Sequence, residues 1–203
     1  MTPEDIETFN RCISVGGVAV FPSDTVYGLA TEPDSKEGVH RLYALKRRPP
    51  DRPAAVMFFD LDLALAALPE LGERTRAVLT RLLPGPVTLL LPNPARRYPL
   101  ACGPRPELLG LRVPALDGPL TPLGAVRWPV LQSSANRSGE ADPRRIDDVD
   151  ASIRAGADLV IDAGELPGVA STVVDLGRYE DSGEHEVVRE GALDAAAVAA
   201  ALT

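Results

Sequence analysis

The 203-residue chain has little of what most often carries enzyme chemistry. Its two cysteines, Cys12 and Cys102, are far apart, with no CxxC pair and no Cys/His ligand spacing, which excludes a disulfide framework and a structural zinc site. Both read as ordinary buried thiols. The two histidines, His40 and His185, fall on a predicted helix and in a charged loop, and no G-x-S-x-G elbow occurs, so a Ser-His-Asp triad has no place to form. Aromatics are 4% of the chain, too few for the stacking platforms that hold single-stranded nucleic acid. Neither GxxxxGK[ST] nor GxGxxG is present, so any phosphate must be bound by side chains. No apolar run approaches the ~20 residues that span a bilayer, and the opening MTPEDIETFN is acidic where a signal peptide is basic. A cytoplasmic protein is expected.

What is present is an uneven distribution of charge. The net charge is -8, yet the stretch from Arg41 to Arg52 holds Arg41, Lys46, Arg47, Arg48 and Arg52 against the single acid Asp51. An acidic protein that concentrates its cations at one helix end has the composition of a specific anion site, because a diffuse nucleic-acid binder is basic more broadly. A solvated helix C-terminus stabilised by the macrodipole accounts for the same cluster. The carboxylates Asp147, Asp148 and Asp150 stand at a helix start, where acids are favoured without any catalytic role.

The hydrophobic pattern predicts interspersed strands and helices. Thr2 caps a helix with Pro3 at its first position, Asp5 completing the box, and Ile6, Phe9 and Ile13 turned toward a core. Strands are predicted at residues 18–21, 55–59, 87–91, 108–113, 130–132, 159–161, 172–175 and 186–189, with a short apolar stretch at 27–30. Helices are predicted at 35–46, 61–68, 73–83, 120–126, 146–153 and 193–201, and the charged segment 179–184 reads as a mobile hairpin connection. The order lacks the strict alternation of a doubly wound parallel sheet, so the expected fold is α/β of mixed, α+β-like type, a twisted sheet flanked by helices. One domain is expected over 1–203, with no repeat and no linker.

Polar residues stand beside apolar strands at a few places, where a rigid scaffold holds ligands. Ser23-Asp24-Thr25 follows a strand, and Gln132-Ser133-Ser134-Ala135-Asn136 ends one with hydroxyls and amides suited to phosphate or ribose oxygens. Ser171-Thr172 leads into VVDL, and Arg112 lies between Leu111 and Val113, where an inward arginine needs an anionic partner. Each of the loops is also readable as a simple turn.

Taken in order, PSDTVYGL, LKRRP, LPGPVTLLL, LRVP, SSAN, STVVDL and VVREG resemble the YrdC-like family, the threonylcarbamoyl-AMP synthases, from about Ile13 to Leu193. The resemblance implies a twisted, mixed, largely antiparallel sheet around a positively charged cavity, in the short form without an extra C-terminal domain. It implies a nucleotidyltransferase that condenses L-threonine, bicarbonate and ATP, with Mg²⁺, to threonylcarbamoyl-AMP and pyrophosphate for tRNA modification. By the same resemblance Lys46 and Arg48 act on the nucleotide as catalytic cations, and Ser134, Asn136 and Arg189 bind ATP with them. Ser23, Arg112 and Ser171 fall on the threonine side, and no protein metal site is implied. Partners implied are the downstream tRNA-modification machinery and a possible RNA contact, with no membrane; no oligomeric state follows.

The chain departs from that pattern in five places. Ser23 stands where Thr is usual, Met57 where His is usual, Asp142 where Ser or Thr is common, Arg52 for Asn or Lys, and Glu190 for Pro. Met57 neither donates a hydrogen bond nor carries charge. Two further readings therefore stand beside the synthase: a divergent YrdC-like adenylating enzyme with another acceptor, suggested by Met57 and Asp142, and a double-stranded RNA-binding module, suggested by the basic cluster.

Overall fold

Thr2 opens helix α1 (Pro3–Ser14) with a reciprocal capping box: its hydroxyl accepts from the Asp5 N–H at 3.2 Å and its own N–H donates to the Asp5 carboxylate at 2.6 Å. The computed structural model describes residues 1–202, and the elements that follow are β1 (Ala19–Pro22), β2 (Tyr27–Thr31), α2 (Lys36–Leu45), β3 (Ala55–Met57), α3 (Leu61–Ala67), α4 (Glu73–Leu82) and β4 (Val87–Pro92). Next come α5 (Pro99–Cys102), β5 (Leu108–Arg112), a 3-10 segment (Gly118–Ala125), β6 (Val130–Ser134) and a second 3-10 segment (Ile146–Asp148). The chain continues through α6 (Ala151–Gly156), β7 (Leu159–Val160), β8 (Thr172–Asp175), α7 (Tyr179–Ser182), β9 (Glu186–Arg189) and α8 (Ala195–Leu202). All the strands join one sheet in the order β7-β1-β2-β6-β3-β5-β4-β8-β9. Pairs β1·β7, β3·β5 and β4·β8 are parallel and the others antiparallel, the mixed sheet expected.

Alternate residues of each strand face opposite ways, and the two faces are treated differently. Val20, Leu29, Val56, Leu89 and Leu111 join a large apolar cluster with Leu42 of α2 and Leu79 of α4. On the other face Phe21, Ala30, Met57 and Val130 pack with Ile6, Phe9 and Ile13 of α1 and with Leu120 and Leu123 of the first 3-10 segment. Phe9 lies 5.5 Å from Phe21 and 6.0 Å from Phe59, ring centre to ring centre, at the middle of this second cluster. It covers only part of its face. Beyond it Thr88, Ala55, Gly110 and Gln132 line an open cavity, so small and polar side chains form a floor where a core would otherwise continue.

Four expectations change. Residues 179–184 are not a mobile hairpin connection: Tyr179 is buried, its hydroxyl donates to the Leu202 carbonyl at 3.0 Å, and Glu180 accepts from the N–H and hydroxyl of Thr75, each at 2.8 Å. Glu180 thereby caps α4, whose N-cap, Gly72, has no side chain to offer. The helix expected at 120–126 is a 3-10 segment because Pro122 removes an internal donor. The helix expected at 146–153 breaks at Val149 and restarts with Asp150 capping the Ser152 N–H at 2.7 Å. Cys102 is buried as expected, whereas Cys12 is only half-buried beside Asp158, and burial pushes its thiol up to about 11.

Candidate active site

The uncovered half of the sheet holds a cavity of about 320 Å³, within the range of small-molecule sites. Five of the eight residues expected from sequence line it: Arg48, Arg112, Ser134, Ser171 and Arg189. They come from the α2–β3 turn, β5, β6, the approach to β8, and β9, so only the sheet brings them together. The lining carries Arg48, Arg105, Arg112 and Arg189 against one carboxylate, Asp142. In a chain of net charge -8 this is a local concentration of cationic side chains.

The basic cluster separates into different roles. Arg41 pairs with Asp158 at 2.9 Å, away from the cavity, and Arg47 and Arg52 are exposed. Arg47 closes the end of α2 with φ +49°, a strained left-handed conformation for a side-chain-bearing residue. The Arg48 guanidinium donates to the Pro53 carbonyl at 2.7 Å and lies 5.8 Å above the Tyr43 ring, while its Nε is buried without a partner among the described residues. Lys46 is 1% exposed and lies behind the cavity wall. Its ammonium donates to the Ser134 carbonyl, to the Asn136 carbonyl at 2.7 Å and to Asn136 Oδ1 at 3.0 Å. The Ser134 hydroxyl donates to the same Oδ1 at 2.6 Å, so Lys46, Ser134 and Asn136 form one locked unit that presents Ser134 to the cavity. Burial pushes the Lys46 pKa down to about 8, with Arg48 adding to the effect and Asp142 opposing it.

On the opposite wall Arg112, 3% exposed, donates one arm to Asp24 and to Thr25 Oγ1 at 2.9 Å. Asp24 is the anionic partner that the strand arginine requires, and its second oxygen accepts from the Ala115 N–H at 3.0 Å. Burial pushes the Asp24 carboxyl above its usual range against the pull of Arg112, while the Arg112 Nε, also buried, has no partner among the described residues. Ser171 shares a hydrogen bond of 2.8 Å with Thr88, and Arg189 donates to the Ser171 carbonyl at 2.7 Å. Gly191 permits this closure, since a Cβ there would lie 2.3 Å from the Ala170 carbonyl oxygen.

Ser23 is fully buried and faces its own loop, its hydroxyl bonded to Thr25 at 3.1 Å and the Val26 carbonyl at 2.8 Å, so it shapes the loop that carries Asp24. Met57 lies in the second apolar cluster and not on the cavity lining. Sequence reasoning missed Thr88, a lone hydroxyl in the run LPGPVTLLL, and Arg105, hidden in a proline-rich passage. The threonine in an otherwise apolar buried strand was the one available signal.

The Sua5/YciO/YrdC family model, described as telomere recombination, matches residues 11–191. A threonylcarbamoyl-AMP synthase of Chromohalobacter salexigens is 35% identical over 165 residues, covering 79% of this chain and 86% of that protein. One from Pyrococcus abyssi is 30% identical over 168 residues, 82% of this chain; the match spans 49% of that longer protein. The crystal structure of P. abyssi Sua5 complexed with L-threonine superposes with a TM-score of 0.85 at 26% identity, covering 99% of this chain and 58% of that one. With a family match over nearly the whole sheet and cavity, the chain belongs to the Sua5/YciO/YrdC family.

Proposed function

We propose that this protein is a threonylcarbamoyl-AMP synthase, a cytoplasmic nucleotidyltransferase of one domain that joins L-threonine, bicarbonate and ATP and releases pyrophosphate. The observation that carries the proposal is the convergence of Arg48, Ser134 and Arg189 with Arg112 and Ser171 on one cavity. Arg48 and Arg189 meet the phosphates, and Ser134, held by Lys46 and Asn136, bonds the nucleotide. The Arg112 guanidinium, which lines the cavity, takes the amino-acid carboxylate through the terminal nitrogen not committed to Asp24, while Asp24 fixes the other arm. Ser171 stands beside it, oriented by Thr88 and Arg189.

The threonine amine and bicarbonate give a carbamate with loss of water, and a carbamate oxygen attacks the α-phosphorus as pyrophosphate leaves. Negative charge gathers on nucleophile, phosphoryl group and leaving group together, which is what a lining of arginines stabilises. A carbamate decomposes readily in water, so holding the reactants in line within a recess matters as much as the charge. Asp142 is the lone carboxylate of the lining, and among the described residues no group of three or more His, Cys, Asp or Glu side chains is placed to hold a metal. This donor set does not fit a resident metal; Mg²⁺ would arrive coordinated by the triphosphate of ATP.

The test is pyrophosphate release from purified protein with ATP, Mg²⁺, bicarbonate and each amino acid in turn. Release that requires bicarbonate and is greatest with L-threonine is expected; its absence with every amino acid removes the proposal. Asp142 on the lining favours the second reading, an acceptor other than threonine, and the same screen reads it as a different preferred amino acid. Delivery of the product to tRNA-modification partners would use the outer surface, where Arg47 and Arg52 are the exposed cations of the basic cluster. Salt-sensitive RNA binding lost in the Arg47→Ala, Arg52→Ala double variant would support an RNA contact there.

A further inference from the structure

Gln132 lies on the cavity floor, 6% exposed, and its carboxamide hydrogen-bonds to no group among the described residues. Its amide atoms are not among the fully buried unpartnered ones, so they open onto the cavity, where a ligand can take up their hydrogen-bonding capacity. The fold makes room for the amide. A Cβ on Gly28 would lie 2.9 Å from Gln132 Nε2 and 3.1 Å from the Phe21 ring, so the glycine allows the amide to lie flat over β2.

Its place in the sheet is intermediate between the two halves of the site. Ser134, of the nucleotide unit, is two residues along the same strand and on the same face. Across the sheet Gln132 is opposite Ala55, Ala55 is opposite Gly110, and Gly110 precedes Arg112 by two residues on the same face. Between a nucleotide at Ser134 and an amino acid at Arg112 lies the group that joins them. That group is a carbamate, planar, with an N–H donor beside an acceptor oxygen. A carboxamide presents the complementary pair in one plane.

We propose that Gln132 binds the carbamate through two hydrogen bonds, its amide N–H donating to one carbamate oxygen and its carbonyl accepting from the carbamate N–H. The other carbamate oxygen is then free to bond the α-phosphorus as the bond to the pyrophosphate oxygen breaks. The inference rests on the synthase reading and adds a residue that touches the transferred group. It also explains why an uncharged amide, and not another arginine, stands here: a cation would lower the nucleophilicity of the carbamate.

The experiment compares wild type with Gln132→Leu, Gln132→Asn and Gln132→Glu as full chains. Bicarbonate-dependent pyrophosphate release, ATP affinity by calorimetry, and thermal melting are measured for each. For Gln132→Leu the expected result is a fall of at least about tenfold in kcat/KM for bicarbonate, with ATP Kd within about twofold and the amino-acid order unchanged. Gln132→Asn, polar but too short to reach, should fall similarly and guards against a folding artefact in the apolar variant. Gln132→Glu should fall further, having lost the donor and gained a like charge. Unchanged turnover in well-folded variants overturns the inference. So does a loss confined to ATP affinity, or an altered amino-acid order with turnover intact, which would assign the amide to the nucleotide or to the acceptor side chain. No bicarbonate-dependent release from the wild type is a different result and removes the synthase reading itself.

Discussion

Lys46 is where burial and function make opposite demands on one proton. Its pKa is pushed down from 10.5 to about 8, so between those values the unfolded chain binds the proton more tightly than the folded one. By linkage, this group's contribution to stability rises with pH across that window. Activity should move the other way, because an ammonium supplies three N–H donors for three oxygens and a neutral amine only two. We expect an alkaline limb in kcat/KM centred near pH 8; a profile flat to pH 10 would show that the Ser134–Asn136 unit does not depend on this charge. Arg112 gives a second residue-scale prediction. Asp24→Ala leaves its guanidinium buried without a carboxylate and should cost about 3–5 kcal/mol in urea denaturation, where a loss under about 1 kcal/mol would mean the pair is not structurally needed. Sequence foresaw that Arg112 wants an anion but gave no sign that Asp24, 88 positions away, supplies it. The family resemblance singled out Lys46 and Arg48, and in the fold Lys46 is buried and Arg47 and Arg52 are exposed, whereas Arg41 and Arg48 are both half-buried. What sequence could not reveal is that Lys46 stands behind the wall and Arg48 on it.

At the scale of elements, local rules succeeded wherever the determining residues were neighbours. The capping box of α1 is an example, as are the strand patterns of β1, β4 and β8. They failed where a distant residue or a proline decided. The segment Tyr179–Glu184 looks like loop because its composition is charged, yet Glu180 is drawn in by the uncapped start of α4, 105 positions away from Thr75. Glu180→Ala should therefore destabilise the protein by about 0.5–2 kcal/mol, measured by urea denaturation, although it lies far from the cavity. The hydrogen bonds from Thr75 hold this carboxyl below the usual range, so the contribution persists above that range and fades as pH falls through the lowered pKa. An unchanged midpoint in Glu180→Ala would mean water caps α4 equally well. The 3-10 segment at Gly118–Ala125 is the converse case, a helical composition that Pro122 confines to tighter turns.

For the whole molecule, the decisive feature is that one face of the sheet is only half covered. α1 and the first 3-10 segment pack their apolar side chains over Phe21, Met57 and Val130, and the remaining strands turn Ala55, Gly110, Gln132 and Thr88 toward open space. Gly110 tests that division directly. A Cβ there meets nothing closer than 3.4 Å and enters the cavity, so Gly110→Ala should fold with a nearly unchanged melting temperature and bind substrate more weakly, read as a raised KM. A large loss of stability instead would mean the floor is packed and not open. The sequence by itself determined the mixed α/β class, the segments that become strands, and five of the residues that line the cavity, because short-range periodicity and ordered motifs record them. Only the tertiary structure decided which of those residues share the cavity. Strand order and register place Arg112 beside Met57, Gln132 beside Ala55 and Ser171 beside Thr88, and such pairings depend on contacts between residues far apart along the chain, which no local pattern encodes.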